Sequence, residues 1–271
     1  MISGERIQEL CDVYCGMQED FDYNPRIRSQ TQKHMQLDRV SSWNNPRKIF
    51  CYTHRLDDFM TILPFIQNEF ILVTHNSDTN VTEKYLPLLQ HSKLLFWHAQ
   101  NVLFSHPKLG RIPIGLANSM WPHGNQEVLA HVIAKKHAKT NSIFFNFSVH
   151  TNPSERITCY EALKDKLPWQ PTVDFKEYLE TMATYKYAIC PPGNGVDCHR
   201  IWECLYLDVI PIVLRSPFTE RIPFPCYIVD RWDDLDVERL LQIYLPPDQV
   251  SFEQLEVCIN EAKDFFTQKT Y

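Results

Sequence analysis

Short apolar runs rich in β-branched and aromatic residues recur along the chain, separated by segments of helical or polar character. This alternation constrains the fold more than any other feature, because it fits parallel βα units and neither a sandwich nor a bundle. The runs expected as strands are 48–53, 70–74, 94–99 and 111–115 in the first half, and 142–148, 186–190, 209–214 and 226–229 in the second. Between the two sets, 126–139 reads as a helix ending in a basic, polar turn, so two Rossmann-like domains are expected, 1–140 and 141–271. At 271 residues, 44% of them hydrophobic, the chain can bury two cores. The closing segment 251–268 opens with Ser-Phe-Glu-Gln, close to a capping box, and spaces Phe252, Leu255, Ile259 and Ala262 along one helical face. It predicts a last helix packing back across the domains. A short helix is expected over Glu5 to Cys15, and the remainder of residues 1–45 has no assigned role.

A formal net charge of -6 offers no broad basic surface for a phosphate backbone, so nucleic acid is not an expected partner. No run of about 18 apolar residues occurs to span a bilayer, and the N-terminus lacks a signal-peptide core. Nine scattered cysteines sit mostly within apolar stretches and are expected to be reduced, which suits a cytoplasmic protein. A lumenal catalytic domain cut from an anchored protein is also compatible with the sequence.

The chemistry is concentrated between Tyr185 and Ser216, which reads as strand, glycine-bearing loop, helix and buried strand. Pro191-Pro-Gly193-Asn194-Gly195 stops the first strand, Asp197 is the expected N-cap, and Val209-Ile-Pro-Ile-Val-Leu is the next strand. On a helix beginning near Cys198, Ile201, Trp202 and Leu205 turn towards the sheet while His199, Arg200 and Glu203 share the other side. A helix N-terminus with an arginine nearby suits a diphosphate, and a glutamate one turn deeper suits the vicinal hydroxyls of a ribose. The competing reading is an ordinary surface pair between Arg200 and Glu203. Arg156, at a helix start beyond the carboxyl end of a strand, is a second phosphate candidate.

Gly-Asn-Gly-Val-Asp-Cys-His-Arg-Ile-Trp-Glu-Cys-Leu-Tyr, followed by Val-Ile-Pro-Ile-Val, resembles the exostosin-like glycosyltransferases, as does Tyr227-Ile-Val-Asp-Arg-Trp-Asp-Asp-Leu. The likeness is specific over about residues 185–236. It implies an α/β fold of GT-B type, two Rossmann-like domains facing across a cleft, with inverting, metal-independent transfer from a UDP-sugar to a glycan or glycoprotein hydroxyl. UDP-xylose is slightly preferred. By resemblance Arg200 falls on the diphosphate side and Glu203 on the ribose. Asp208 departs from the pattern, because such proteins often have glycine before the strand.

Inverting transfer needs a group to take the acceptor proton, and strand ends in the first half nominate it. Asp78 is favoured, since Asn80-Val-Thr-Glu83 supplies its own cap for the following helix, with His75 and Asp57 as alternatives. Asn118 and Trp121, with Asn101 and His123, are expected to line the acceptor side. No cofactor or metal is expected: neither Asp20-Phe-Asp22 nor Asp234-Leu-Asp236 follows a convincing strand, and Asp197-Cys198-His199 has no second Cys or His pair at ligand spacing. A GDP-fucose-dependent fucosyltransferase and a non-catalytic sugar- or nucleotide-binding homologue are the alternatives.

Overall fold

The computed structural model describes residues 1–39, 45–242 and 251–267, and two parallel sheets organise them. One holds β1 (Val13–Gly16), β2 (His34–Gln36), β3 (Lys48–Tyr52), β4 (Phe70–His75), β5 (Leu94–Ala99) and β6 (Leu109–Arg111), in the order β2-β1-β3-β4-β5-β6. The other holds β7 (Asn141–Phe144), β8 (Tyr185–Ile189), β9 (Ile210–Leu214) and β10 (Tyr227–Val229), in the order β10-β9-β8-β7. Every pairing between these strands is parallel. The central strands read as unbroken apolar runs because both faces are covered; all six residues of β4 are buried.

The chain divides into two units, Ile2–Ile114 with Ser251–Tyr271, and Gly115–Val250. In the first unit, Leu72, Trp97, Phe59, Leu88 and Phe70 centre a core closed by helices that follow β3 and β4. In the second, Phe145, Cys159, Leu163, Ile189, Ile212 and Leu240 play that part.

The border therefore falls at Gly115 and not near 140. Helix Gln126–Ala134 buries Leu129 and Val132, and Lys135 just after it pairs with Glu180 of helix Phe175–Met182 at 2.5 Å, which ties this segment to the second unit. The closing helix Phe252–Asn260 belongs to the first unit. There the Arg6 guanidinium lies 3.7 Å over the Phe252 ring, Lys48 Nζ donates to Asn260 Oδ1 at 2.9 Å, and Asp264 pairs with the buried Arg111 at 3.1 Å. Ser251 is the N-cap residue, but its hydroxyl turns to Glu253, not to the backbone. Ala262 lies past the helix end with φ 55°, so the helical face ends at Ile259; Gln268 lies outside the described residues.

The helix expected over Glu5 to Cys15 ends at Glu9, and Val13–Gly16 is instead a strand beside β3. Asn80 to Glu83 form no capping box: Thr82 is the N-cap of a 3-10 turn with no side-chain bond. Asp197 likewise is not an N-cap. Helix His199–Tyr206 has Cys198 there, and the buried Asp197 carboxylate accepts from Trp202 Nε1 at 2.7 Å.

Candidate functional site

The second unit gathers its polar side chains beyond the carboxyl ends of β7 and β8, the edge where parallel α/β sheets bind ligands. Arg156, in helix Pro153–Leu163 after β7, donates from Nε to Pro192 O at 2.9 Å and from Nη1 to Ser148 O at 2.8 Å. Arg200 donates from Nε to the Tyr178 hydroxyl at 3.1 Å and from Nη1 to Asn146 O. Each guanidinium is thus fixed by two neutral oxygens. Each leaves Nη2 without a hydrogen-bond partner among the described residues, and neither meets a carboxylate within ion-pair distance. Burial, and the nearby charge of Arg200, hold Arg156 below its usual pKa, whereas burial of Arg200 is outweighed by Tyr178, Glu203 and neighbouring thiols, which hold it above.

Glu203 is only 5% exposed. Its Oε2 accepts from the Tyr178 hydroxyl at 2.7 Å, so Tyr178 bridges the arginine to the carboxylate and the two do not touch. That overturns the reading of Arg200 and Glu203 as an ordinary surface pair. Burial raises the Glu203 pKa above the usual carboxylate value, against the opposing pull of the Tyr178 hydrogen bond and Arg200. Oε1 has no hydrogen-bond partner among the described residues. Tyr178 was not nominated from the sequence. Its helix shows only the amphipathic spacing of Phe175, Leu179 and Met182, in which a tyrosine reads as packing.

The loop 191–195 is braced from the side: Asn152 Nδ2 donates to Gly193 O at 2.9 Å, as Arg156 does to Pro192 O. A Cβ at Gly193 would lie 3.5 Å from Arg156 Nη2, an ordinary contact, so the fold itself does not demand glycine there. Gly195 is buried beside it and Asn194 is exposed. His199 does not face outward freely, since its Nδ1 bonds Gly115 O at 2.8 Å. Near it stands His123, ring centroids 6.4 Å apart, and Trp121 lies against His123 at 6.1 Å with 41% of its surface exposed. Asn118 shapes that loop through its carbonyl, which accepts from Trp121 N at 3.0 Å. A Cβ at Gly124 would come within 2.0 Å of the same oxygen, so here glycine is required. Trp121 and Asn118, expected with the first half, therefore share the unit of Arg200 and Glu203.

In the first unit, the three residues nominated as proton acceptor differ in availability. His75 is 1% exposed, its Nδ1 accepting from Asn76 N at 2.7 Å and its Nε2 bonding Pro113 O at 2.9 Å, so both ring nitrogens already hold the strand end. Asp57 is exposed and paired with Lys84 at 2.6 Å. Asp78 is exposed in the loop after β4. Among the described residues no group of three or more His, Cys, Asp or Glu is arranged to hold a metal ion, and no helix is long and apolar enough to cross a membrane.

No family model and no curated protein matches the chain, so the exostosin-like resemblance rests on the motif of residues 185–236 alone. Among solved structures it is similar to an α1,3-fucosyltransferase, with a TM-score of 0.44 and 12% identity, over 94% of this chain and 80% of that one.

Proposed function

We propose that this protein is a glycosyltransferase whose second unit holds a nucleotide-sugar donor. The observation that carries the reading is the pair of guanidiniums, Arg156 and Arg200, pinned by neutral oxygens with an open Nη2 on each and no carboxylate in direct contact. Half-buried guanidiniums with open N–H donors gain from an anion that completes them, and the planar guanidinium suits phosphate oxygens. Glu203 Oε1, an acceptor one helical turn further along, suits a ribose hydroxyl. Gly193, which sterics do not require, keeps the edge of Arg156 uncovered. In this reading Asn194, Gly195 and Asp197 shape the loop and helix start around the diphosphate, and His199 fixes the helix. Trp121 and Asn118 offer a surface for a sugar ring.

The reaction is inverting transfer to a glycan or glycoprotein hydroxyl, without a required metal. UDP-xylose is only slightly preferred as the donor, and GDP-fucose is the alternative. A thermal-shift and calorimetry panel of UDP, GDP, ADP and their sugars, with and without chelator, tests the reading. One nucleotide is expected to raise the melting temperature regardless of chelator, and Glu203→Ala is expected to lose about 1.5 to 3 kcal/mol of its binding. Unchanged nucleotide affinity in Glu203→Ala removes the site. Because the Glu203 pKa is raised, affinity should fall on acidification earlier than an ordinary glutamate would allow. Binding without release of nucleoside diphosphate would favour the non-catalytic homologue.

A further inference from the structure

An exposed tryptophan is held rigidly beside the two arginines of the second unit. Trp169 lies in the loop between helices Pro153–Leu163 and Phe175–Met182 and has 39% of its surface exposed. Three rings grip it edge to face: its centroid lies 4.9 Å from Phe145, 5.2 Å from Phe147 and 5.0 Å from Tyr160, at interplanar angles of 87°, 82° and 89°. The loop is also strapped to the end of β7, with Gln170 N donating to Phe145 O at 2.9 Å and Asn146 Nδ2 donating to Gln170 O at 2.7 Å. A ring fixed in this way loses little freedom when a ligand lies on it.

Each guanidinium is joined to this ring through a single residue. Arg156 lies 5.9 Å over Phe147, which is itself against Trp169, and shares a helix face with Tyr160 one turn on. Arg200 Nη1 donates to Asn146 O, and the side chain of the same Asn146 holds the Trp169 loop. The contacts follow one another in order: Glu203 to Tyr178 at 2.7 Å, Tyr178 to Arg200 at 3.1 Å, Arg200 to Asn146, and Asn146 to Gln170 at 2.7 Å. Glu203 and Trp169 stand at opposite ends of that series, with the guanidinium between them. In a nucleotide sugar the diphosphate stands in the same way between the ribose and the sugar to be transferred.

We propose that Trp169 is the platform on which the transferred sugar of the donor stacks, and so a specificity-determining residue; this rests on the function proposed above. With the ribose hydroxyls at Glu203 and the diphosphate at the guanidiniums, the pyranose comes next and lays its C–H groups on the indole. That contact removes apolar area of both partners from water while the sugar hydroxyls stay solvated at the rim. It favours a pyranose whose C–H groups share one face, and it is indifferent to the nucleobase at the other end of the donor.

Calorimetry on the full chain compares UDP and GDP with UDP-xylose, UDP-glucuronate, UDP-galactose, UDP-N-acetylglucosamine and GDP-fucose. For the sugar nucleotide that binds best, Trp169→Ala is expected to weaken binding about 3- to 10-fold, the scale of one ring contact, with affinity for the parent nucleoside diphosphate unchanged. That unchanged affinity also shows the variant to be folded, and Trp169→Phe is expected to restore most of the loss. Should Trp169→Ala not fold, fluorescence gives the answer: the emission that Trp169→Phe lacks should be quenched by the sugar nucleotide and not by the nucleoside diphosphate. An equal loss for the nucleoside diphosphate puts the nucleobase on Trp169 and overturns the assignment. Unaltered sugar-nucleotide affinity and emission, or the selective loss appearing in Trp121→Ala instead, also overturns it. In these cases the donor site still stands, whereas an unaltered chain that binds none of these nucleotides overturns both.

Discussion

A single phenol, Tyr178, holds Arg200 and Glu203 in register, accepting from one and donating to the other. Tyr178→Phe keeps the ring packed against Phe144, 5.7 Å away, and removes both bonds. The expected cost is about 1 to 3 kcal/mol of stability, read by urea denaturation, because Glu203 is left buried with no donor. His98, on β5, is fully buried, and among the described residues neither ring nitrogen has a partner at full hydrogen-bond geometry, the Ile259 backbone being the group that opposes its burial. Burial drops its pKa to about 3. Its folded value lies below its unfolded one, so the unfolded chain binds the extra proton, and stability is lost as pH falls from about 6.5 towards 3, by at most about 1.4 kcal/mol per pH unit. Denaturation midpoints at pH 7 and pH 5 should differ less in His98→Leu than in the unaltered protein.

Among the elements, the turn between helix His199–Tyr206 and β9 accounts for the departure at Asp208. Its φ of 55° is left-handed, which aspartate tolerates better than most side chains. Lys139 caps the same helix end, donating to Leu207 O at 2.5 Å and to Ala183 O at 2.8 Å. Asp208→Gly should leave the melting temperature nearly unchanged, while Asp208→Val should cost about 1 to 2 kcal/mol. The strand, loop and helix around this turn were legible because each joint carries a breaker: Pro191-Pro-Gly, then Asp208 before Val-Ile-Pro-Ile-Val. The element β1 was not. Ile7, Cys11 and Tyr14 fall at helical spacing, so their pattern imitates one continuous helix although the last of them lies on a strand. With β1 and β2 unread, nothing in the sequence brought Asp20 and His54 together, although His54 Nε2 lies 2.9 Å from Asp20 Oδ1. Arg200, Glu203 and Arg156 could be named because each lies within one crossover. The Tyr178 bridge joins residues 25 apart and leaves no periodic trace.

Taken whole, the chain closes its first unit with residues that follow the second unit in sequence. Arg111, 7% exposed, receives Asp264 both at its backbone amide, 2.8 Å, and at its guanidinium. Asp264→Ala removes the carboxylate paired with that buried cation and should destabilise the first unit by about 3 kcal/mol. Limited proteolysis is expected to attack the closing segment 251–267 in this variant sooner than in the unaltered protein. The border at Gly115 was misplaced from sequence because helix Gln126–Ala134 has the ordinary pattern of a helix covering the sheet before it, and only its packing against Phe175–Met182 tells which sheet it serves. The interrupted course of the first unit also sets an order of events during synthesis. A nascent chain emerging amino end first has every strand of that unit available early, yet Phe252, Leu255 and Ile259 reach it only after the whole intervening body has left the ribosome. Until then the apolar surface that these three side chains cover lacks that cover.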